Sequence, residues 1–299
     1  MMRAVDVFAG CGGMSLGFEQ AGIDVVAAFD NWEPAVDIYR INFNHPIYKK
    51  DLCDKDAPEI ISGLHPDVIM GGPPCQDYSI AGKRKAGARA NLTIRFAEIV
   101  CEVKPAWAIF ENVYNIERFG TLPRMKKMLS ETGYGISARV LDASRCGAPQ
   151  ARKRFILVGR LDACEGFLDD ALESGLAKKQ MTVRDYLGDK LGTQYYYMHP
   201  RSYARRAVFS IDEPSATIRG INRPVPEGYR RHHADAAGID QGVRVLTSKE
   251  RSYLQTFPES FKFKGAKTNV ELAIGNAVPP ALAKYVATRI VEYERHIEH

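Results

Sequence analysis

The sequence predicts an α/β protein with a doubly wound, mixed but mainly parallel sheet. Short apolar and β-branched runs alternate with helical patterns through its first half, as expected of βαβ units. The 299 residues are 45% hydrophobic and 26% charged, enough to bury a full core. No apolar run reaches the roughly 18 residues of a membrane span, and the start, MMRAVDVFAG, has no signal-peptide apolar region. We therefore expect a cytoplasmic protein.

The predicted elements follow one another in the order strand, helix, strand. Strands are predicted at 4–8, 25–30, 68–70, 106–111, 139–142 and 155–159, and helices at 15–21, 34–43, 92–103 and 122–132. After residue 160 the alternation stops, and helical patterns return only at 247–256 and 280–297. We therefore predict a larger domain formed by residues 1–162 plus 243–299 and a smaller domain formed by residues 163–242.

The positive charge is concentrated in the predicted smaller domain. The segment from Lys190 to His233 contains eight Lys and Arg residues against three acids, a balance equal to the net charge of +5 of the whole chain. Such a segment favours a polyanionic partner. The six cysteines occur singly, without a CxxC pair. This spacing predicts neither a disulfide framework nor a metal site.

A glycine-rich loop follows the first predicted strand. In DVFAGCGGMSLGF, Gly10, Gly12 and Gly13 lie where ligands approach the carboxyl ends of strands. The dinucleotide fingerprint requires a glycine where Ser15 stands, which disfavours a pyrophosphate site. Asp30 ends the second strand, and Asp51 stands near the expected end of a third. Together they favour a nucleoside-containing cofactor; a tight turn with solvated acids is the alternative.

The segment DVIMGGPPCQDYS presents a thiol on a constrained loop. Two prolines fix the backbone directly before Cys75. The cations at 83–85 either favour its thiolate or contact phosphates. The other five cysteines are expected to be small buried hydrophobic residues, the common fate of a free cysteine. They are Cys11, Cys53, Cys101, Cys146 and Cys164.

Further charged residues are predicted at the same edge of the sheet. Glu111 ends the strand WAIFENV, where partial burial should raise its pKa and make it an acid, although it is equally suited to cap a helix. In QARKRF, Gln150 precedes Arg152 and Arg154, which a period of two places on one side of a strand. There they would hold a carbonyl or a phosphate, or form a basic solvated edge.

In this order, FAGCGG, PPCQ, ENV, QxRxR and GNAVPP resemble the DNA (cytosine-5)-methyltransferase family of bacterial type. The resemblance covers about residues 5–160 and 243–287. It implies an S-adenosylmethionine-dependent methyltransferase fold with a smaller DNA-recognition domain, which the segment RVLTSKERSYLQTFP braces. No match is assigned to the intervening residues, which read the target in this family, so the target sequence is not predicted.

The resemblance also implies the cofactor site. S-adenosylmethionine is the cofactor, S-adenosylhomocysteine the product, and no metal takes part. Asp30 would bind the ribose and Asp51 the adenine amine, while Asn31 or Trp32 stacks on the adenine. The whole implied set is Phe8, Gly10, Gly12, Gly13, Asp30, Asn31, Trp32, Asp51, Leu52, Pro73, Asn276 and Ala277.

The family mechanism assigns the reacting groups. Cys75 would add to carbon 6 of a flipped-out cytosine, Glu111 would donate to ring nitrogen 3, and Arg152 and Arg154 would grip the base. The loop 79–90 would close over it. Arg219 and Arg223 would read guanines. The implied DNA-binding set is Gln76, Ser79, Lys83, Arg84, Arg206, Arg219 and Arg223.

The implied partner is duplex DNA with a short specific target, bound by a monomer, in a restriction-modification system with a cognate restriction endonuclease. Three alternatives stay open at this point. The chain methylates RNA cytosine instead, or it is a catalytically silent regulatory subunit, or it is a nicotinamide-dependent oxidoreductase. The missing third glycine and the rigid thiol disfavour the last.

Overall fold

The computed structural model describes residues 1–74, 92–118, 120–202 and 204–297. Its central sheet has seven strands in the order β3-β2-β1-β4-β5-β8-β6. The first five are parallel, and β8 runs antiparallel to both β5 and β6. The predicted mixed, mainly parallel sheet is therefore confirmed. Its strands are β1 (Arg3–Val7), β2 (Asp24–Asp30), β3 (Ile47–Lys49), β4 (Val68–Gly71), β5 (Trp107–Val113), β6 (Tyr134–Asp142) and β8 (Lys153–Leu161). The two-residue strand β7 (Gln150–Ala151) precedes β8.

Helices cover both faces of this sheet. On one face α1 packs against α10, and on the other lie α3, α4 and α5. The helices are α1 (Gly13–Gln20), α2 (Glu33–Arg40), α3 (Ala57–Ser62), α4 (Leu92–Val103), α5 (Thr121–Glu131), α6 (Asp169–Ser174), α7 (Val183–Leu187), α8 (Ser248–Leu254), α9 (Lys267–Asn276) and α10 (Pro280–Ile297). The six predicted helices correspond to α1, α2, α4, α5, α8 and α10 within three residues at each end, whereas α3, α6, α7 and α9 were not predicted.

The strand order reverses at β1, which pairs with β2 on one side and β4 on the other. Ligands of doubly wound sheets bind at such a switch point. The turn from β1 to α1 passes through left-handed backbone at Gly12, with φ 93°, a conformation that favours glycine. A Cβ on Gly13 would lie 2.1 Å from the carbonyl oxygen of Val278. Gly13 therefore lets the GNAVPP segment approach the loop closely.

A second, smaller sheet is formed by β9 (Tyr195–Tyr197), β10 (Val208–Ser210) and β12 (Arg244–Val245). The short strand β11 (Ser215–Ala216) pairs instead with β7.

The hydrophobic packing does not follow the predicted boundaries at 163 and 242. Leu168 and Leu172 pack into the core of the large sheet, whereas Leu246, Leu254 and Ile274 pack into the core of the small one. In the part of the chain that is described, no helix combines the length and the hydropathy needed to cross a bilayer.

Candidate active site

A cavity of about 650 Å³ lies at the carboxyl ends of the parallel strands. It extends from Asp51, which follows β3, past Asp30 of β2 and the β1–α1 loop to Glu111 of β5. Because neighbouring strands are spaced by about 4.8 Å, the five strands separate its two ends by roughly 19 Å. Nine of the twelve predicted cofactor residues line it: Phe8, Gly10, Asp30, Asn31, Trp32, Asp51, Leu52, Asn276 and Ala277.

The other three predicted cofactor residues do not line the cavity. Gly12 and Gly13 lie behind its wall, where they permit the close packing at the start of α1. The carbonyl of Pro73 accepts a hydrogen bond of 3.0 Å from Nδ2 of Asn112.

The carboxylate of Asp30 is fixed by two backbone donors. Oδ2 accepts a hydrogen bond from the Gly10 amide and Oδ1 from the Trp32 amide, each at 2.8 Å. Burial raises the pKa of Asp30, and these amide donors oppose that rise. A carboxylate oxygen has a second lone pair, so both oxygens can still accept hydrogen bonds from a ligand hydroxyl.

Asp6 is a cavity residue that the sequence analysis missed. It is 1% exposed within β1, and its Oδ2 accepts hydrogen bonds from the amide and the hydroxyl of Ser15 at 3.1 and 2.5 Å. Its Oδ1 has no hydrogen-bond partner in the described part of the chain. Burial raises the pKa of Asp6 to about 7. The sequence signal that could have identified it is an acid within an otherwise apolar strand. Burial of an ionisable group is energetically unfavourable, so such a residue often has a functional role.

Glu111 and Arg154 form an ion pair at the other end of the cavity. Nε of Arg154 lies 2.8 Å from Oε1 of Glu111. Burial raises the pKa of Glu111, and the charges of Arg154 and Arg152 oppose that rise. A Cβ on Gly72 would lie 3.0 Å from Oε2 of Glu111. The absence of a side chain at Gly72 therefore leaves room around the Glu111 carboxyl group.

The structure does not place Arg152 beside Arg154 on one side of a strand, as the period of two predicts. Its Nη1 donates to the carbonyl of Ile218 at 2.8 Å, and its Nη2 donates to those of Gly275 and Ala277 at 3.0 Å each. The residue is 1% exposed. It lies at the junction of β7 and β8, where the alternation of a continuous strand is interrupted. With both terminal nitrogens occupied, its guanidinium links three chain segments, whereas Arg154 pairs with Glu111, a residue that lines the cavity.

Five predicted residues lie outside the described part of the chain: Cys75, Gln76, Ser79, Lys83 and Arg84. Pro74, which directly precedes Cys75 in the sequence, lines the cavity.

The expectation that all the other cysteines are buried is wrong for Cys53 and Cys164, which are exposed. Both lie in connections after a strand, where a short apolar side chain need not reach the core. Cys11 and Cys146 are buried as predicted, and Cys101 is half-buried.

The three described arginines of the predicted DNA-binding set differ in their surroundings. Arg206 forms an ion pair with Glu213, and its guanidinium lies 4.3 Å from the centre of the Phe209 ring. Arg219 is half-buried and donates to the His199 carbonyl. Arg223 is exposed. Arg206 therefore has partners within the protein, and its contact with DNA stays a prediction.

Comparison with known proteins gives consistent results at the level of family and fold. The family model described as C-5 cytosine-specific DNA methylase matches residues 2–292. The chain is 53% identical over 297 residues to the Type II methyltransferase M.HindV of Haemophilus influenzae, with 98% of each chain covered. It is 52% identical over 294 residues to the Type II methyltransferase M.HgiDI of Herpetosiphon aurantiacus, with 98% of this chain and 95% of that one covered.

Two solved structures share the fold. The S. pombe Dnmt2 methyltransferase superposes with a TM-score of 0.73 at 18% identity, over 98% of this chain and 99% of that one. A putative DNA modification methyltransferase encoded within a prophage of E. coli gives a TM-score of 0.71 at 22% identity, over 99% and 100%. Among the described residues, no group of three or more His, Cys, Asp or Glu side chains is arranged to hold a metal ion.

Proposed function

Because the chain belongs to the C-5 cytosine-specific DNA methylase family and is a DNA cytosine methyltransferase, we propose that its methyl donor binds in the cavity at the carboxyl ends of the strands. A cytosine extruded from duplex DNA would meet it at the Glu111 end. The observation that carries this proposal is the placement of Asp30 and Glu111 on one continuous cavity. One acid suits a nucleoside and the other a base.

The cavity fits S-adenosylmethionine. Asp30 would accept hydrogen bonds from the ribose hydroxyls and Asp51 one from the adenine amine, while the rings of Phe8 and Trp32 provide apolar surface. The unpartnered Oδ1 of Asp6 offers a buried acceptor in the same wall. Bound there, the cofactor would supply a methyl group on a positively charged sulfur.

The chain's own residues would activate the cytosine. The Cys75 thiolate would form a bond to carbon 6, and the proton of Glu111 would pass towards ring nitrogen 3, so that negative charge does not build up in the ring. Arg154 would hold the carbonyl oxygen of the base. After methylation of carbon 5, loss of its proton to a base would expel the Cys75 thiolate and re-form the double bond between carbons 5 and 6, while nitrogen 3 would return its proton to Glu111.

Support for this assignment comes from the pair formed by Glu111 and Arg154. Burial raises the pKa of the Glu111 carboxyl, and Arg154 places a hydrogen-bond donor beside it. Arg152 would position the chain near this pair, because it donates to carbonyls of two separate segments, at Ile218 and at Gly275 and Ala277.

The proposed substrate is a short specific sequence in duplex DNA, which a monomer of the protein would bind. Exposed cations of the segment 190–233, such as Arg223, would contact phosphates or base edges. The Type II names of the relatives favour a cognate restriction endonuclease as partner. A cytoplasmic location stays a prediction.

The deciding experiment incubates the protein with labelled S-adenosylmethionine and a mixture of duplex DNA and RNA, then maps 5-methylcytosine base by base in each. We expect methylation at one position of one short sequence. Labelled RNA with unlabelled DNA would favour the RNA alternative, and no transfer to either would favour the silent subunit. Separate binding titrations with NAD and with S-adenosylmethionine test the oxidoreductase alternative, because only an oxidoreductase would bind NAD.

A further inference from the structure

A short segment connects the predicted DNA-reading arginines to the wall of the cavity. Residues 218–223 begin with Ile218, include Arg219 and end at Arg223. They lie against α9, the helix whose Leu272, Ala273 and Asn276 line the cavity. A Cβ on Gly275 would lie 2.2 Å from the Gly220 amide nitrogen, so backbone meets backbone at this contact.

A buried ion pair between α8 and α9 holds the backbone of this segment. Arg251 of α8 pairs with Glu271 of α9, and each is 3% exposed. The Nη2 atom of Arg251 donates to the carbonyl of Arg219 at 2.5 Å and to that of Ile221 at 3.3 Å. Its guanidinium therefore binds the backbone on both sides of Gly220.

Glu271 completes the connection through a side chain of the segment itself. Its Oε1 accepts hydrogen bonds from Nδ2 of Asn222 at 3.0 Å and from the Ser248 hydroxyl at 2.7 Å. Asn222 also donates to the Leu246 carbonyl at 2.9 Å. One buried carboxylate thus joins α8, α9 and the segment.

We infer that Asn222, Arg251 and Glu271 are positioning residues that set the 218–223 segment for target discrimination. The inference rests on the proposed function, since it takes this segment to contact DNA. Discrimination between bases depends on donors held in one geometry, because a loose donor accommodates a wrong base almost as well as the right one. Arg251 and Glu271 are too deeply buried to touch DNA, so they would act only through the segment.

The test compares methylation of the mapped target with duplexes that differ from it by one base pair. Relative to wild type, Asn222→Ala and Glu271→Gln should each lower the ratio of kcat/KM between target and altered duplex by about tenfold, the value of one well-placed base contact. The dissociation constant of S-adenosylmethionine without DNA should change by less than about twofold. The double variant should lose no more than either single one, because both act on one connection.

Glu294→Gln is the matched control. Glu294 also pairs with an arginine, Arg160, and accepts a hydrogen bond from Trp107 at the opposite end of β5. Loss of this pair should lower the thermal midpoint and leave discrimination unchanged. If Glu271→Gln does not fold, Arg251→Met with Glu271→Met removes both buried charges together, a change that proteins tolerate better than loss of one partner.

Unaltered discrimination in folded Glu271→Gln or in the methionine double variant would overturn the inference. The inference would also be overturned if the losses of discrimination caused by Asn222→Ala and Glu271→Gln added up in the double variant, because Asn222 would then act on DNA independently of Glu271. If the wild-type protein methylates no duplex at all, the proposed function fails first. Wild-type methylation of a defined target with unchanged variants would refute the positioning role alone.

Discussion

The Nε atom of Arg154 lies 2.8 Å from Oε1 of Glu111, at the carboxyl end of β5 beside the cavity. Antiparallel pairing of β5 with β8 creates this contact, with Val113 opposite Arg154 and Glu111 opposite Ile156. Burial favours the neutral carboxyl, whereas the guanidinium favours the charged one. The net result is a carboxyl group whose pKa is raised above its usual value, with a cation beside it.

Replacement of the acid tests its role. Glu111→Gln keeps the shape of the side chain but removes the transferable proton. We expect kcat for DNA methylation to fall by about 10²- to 10⁴-fold, the usual contribution of a general acid, with the cofactor dissociation constant within about twofold of wild type. Single-turnover methylation and calorimetric titration measure the two quantities. A variant with near wild-type kcat would exclude Glu111 as the acid.

The two arginines of QARKRF should respond differently. Arg154→Lys should lower kcat by about 10- to 100-fold with little change in stability, because it loses the planar fork at a partly exposed position. Arg152→Met should lower the free energy of unfolding by about 3 kcal/mol, since three carbonyls lose a charged donor. Urea denaturation and methylation rates separate the two effects. Unchanged stability of Arg152→Met together with a large loss of kcat would restore the base-gripping role of Arg152.

Asp30 should control cofactor affinity. In Asp30→Asn the amide offers one acceptor oxygen to the two backbone donors of Gly10 and Trp32. We expect the S-adenosylmethionine dissociation constant to rise by at least about tenfold, equivalent to about 1.4 kcal/mol, and kcat at saturation to change little. Asp67→Asn is the control, because Asp67 accepts from the Arg3 amide at the amino ends of the strands. Equal effects of both substitutions on affinity would contradict a specific role.

Asp6 should make stability fall as the pH rises. Its pKa is raised from 3.8 to about 7 in the folded protein, so between these values the folded state keeps a proton that the unfolded state has released. The free energy of unfolding must therefore decrease across this range, by up to a few kcal/mol, and level off above pH 7. Asp6→Asn should lose that decrease. Parallel pH profiles of wild type and variant in urea denaturation would refute the assignment.

The sequence was most informative where local patterns and sheet geometry agree. Apolar runs located β1, β2, β4 and β5, and parallel strands must bring their carboxyl ends to one edge. Asp30, Asp51 and Glu111 were therefore predicted together from positions far apart in the chain. No contact had to be known in advance.

Features that depend on tertiary packing were not predictable in this way. Helix α9 was missed because its ten residues lie in a connection rich in Lys and Gly and its Gly275 is unfavourable within a helix. That glycine is explained only by the backbone of Gly220 beside it. Arg152 was misplaced because its hydrogen-bond acceptors come from residues more than sixty positions away.

The most direct measurement concerns the sulfur that the family mechanism requires at residue 75. Duplex DNA carrying 5-fluorocytosine at the mapped target would be incubated with S-adenosylmethionine and either wild-type protein or Cys75→Ser, then resolved under denaturing conditions. A base cannot remove fluorine from carbon 5 as it removes a proton, so the Cys75 sulfur cannot be expelled and the wild-type protein should remain covalently bound to the DNA. Cys75→Ser should bind the cofactor but form no adduct. An adduct of equal yield in Cys75→Ser, or none with active wild-type protein, would contradict the proposed mechanism.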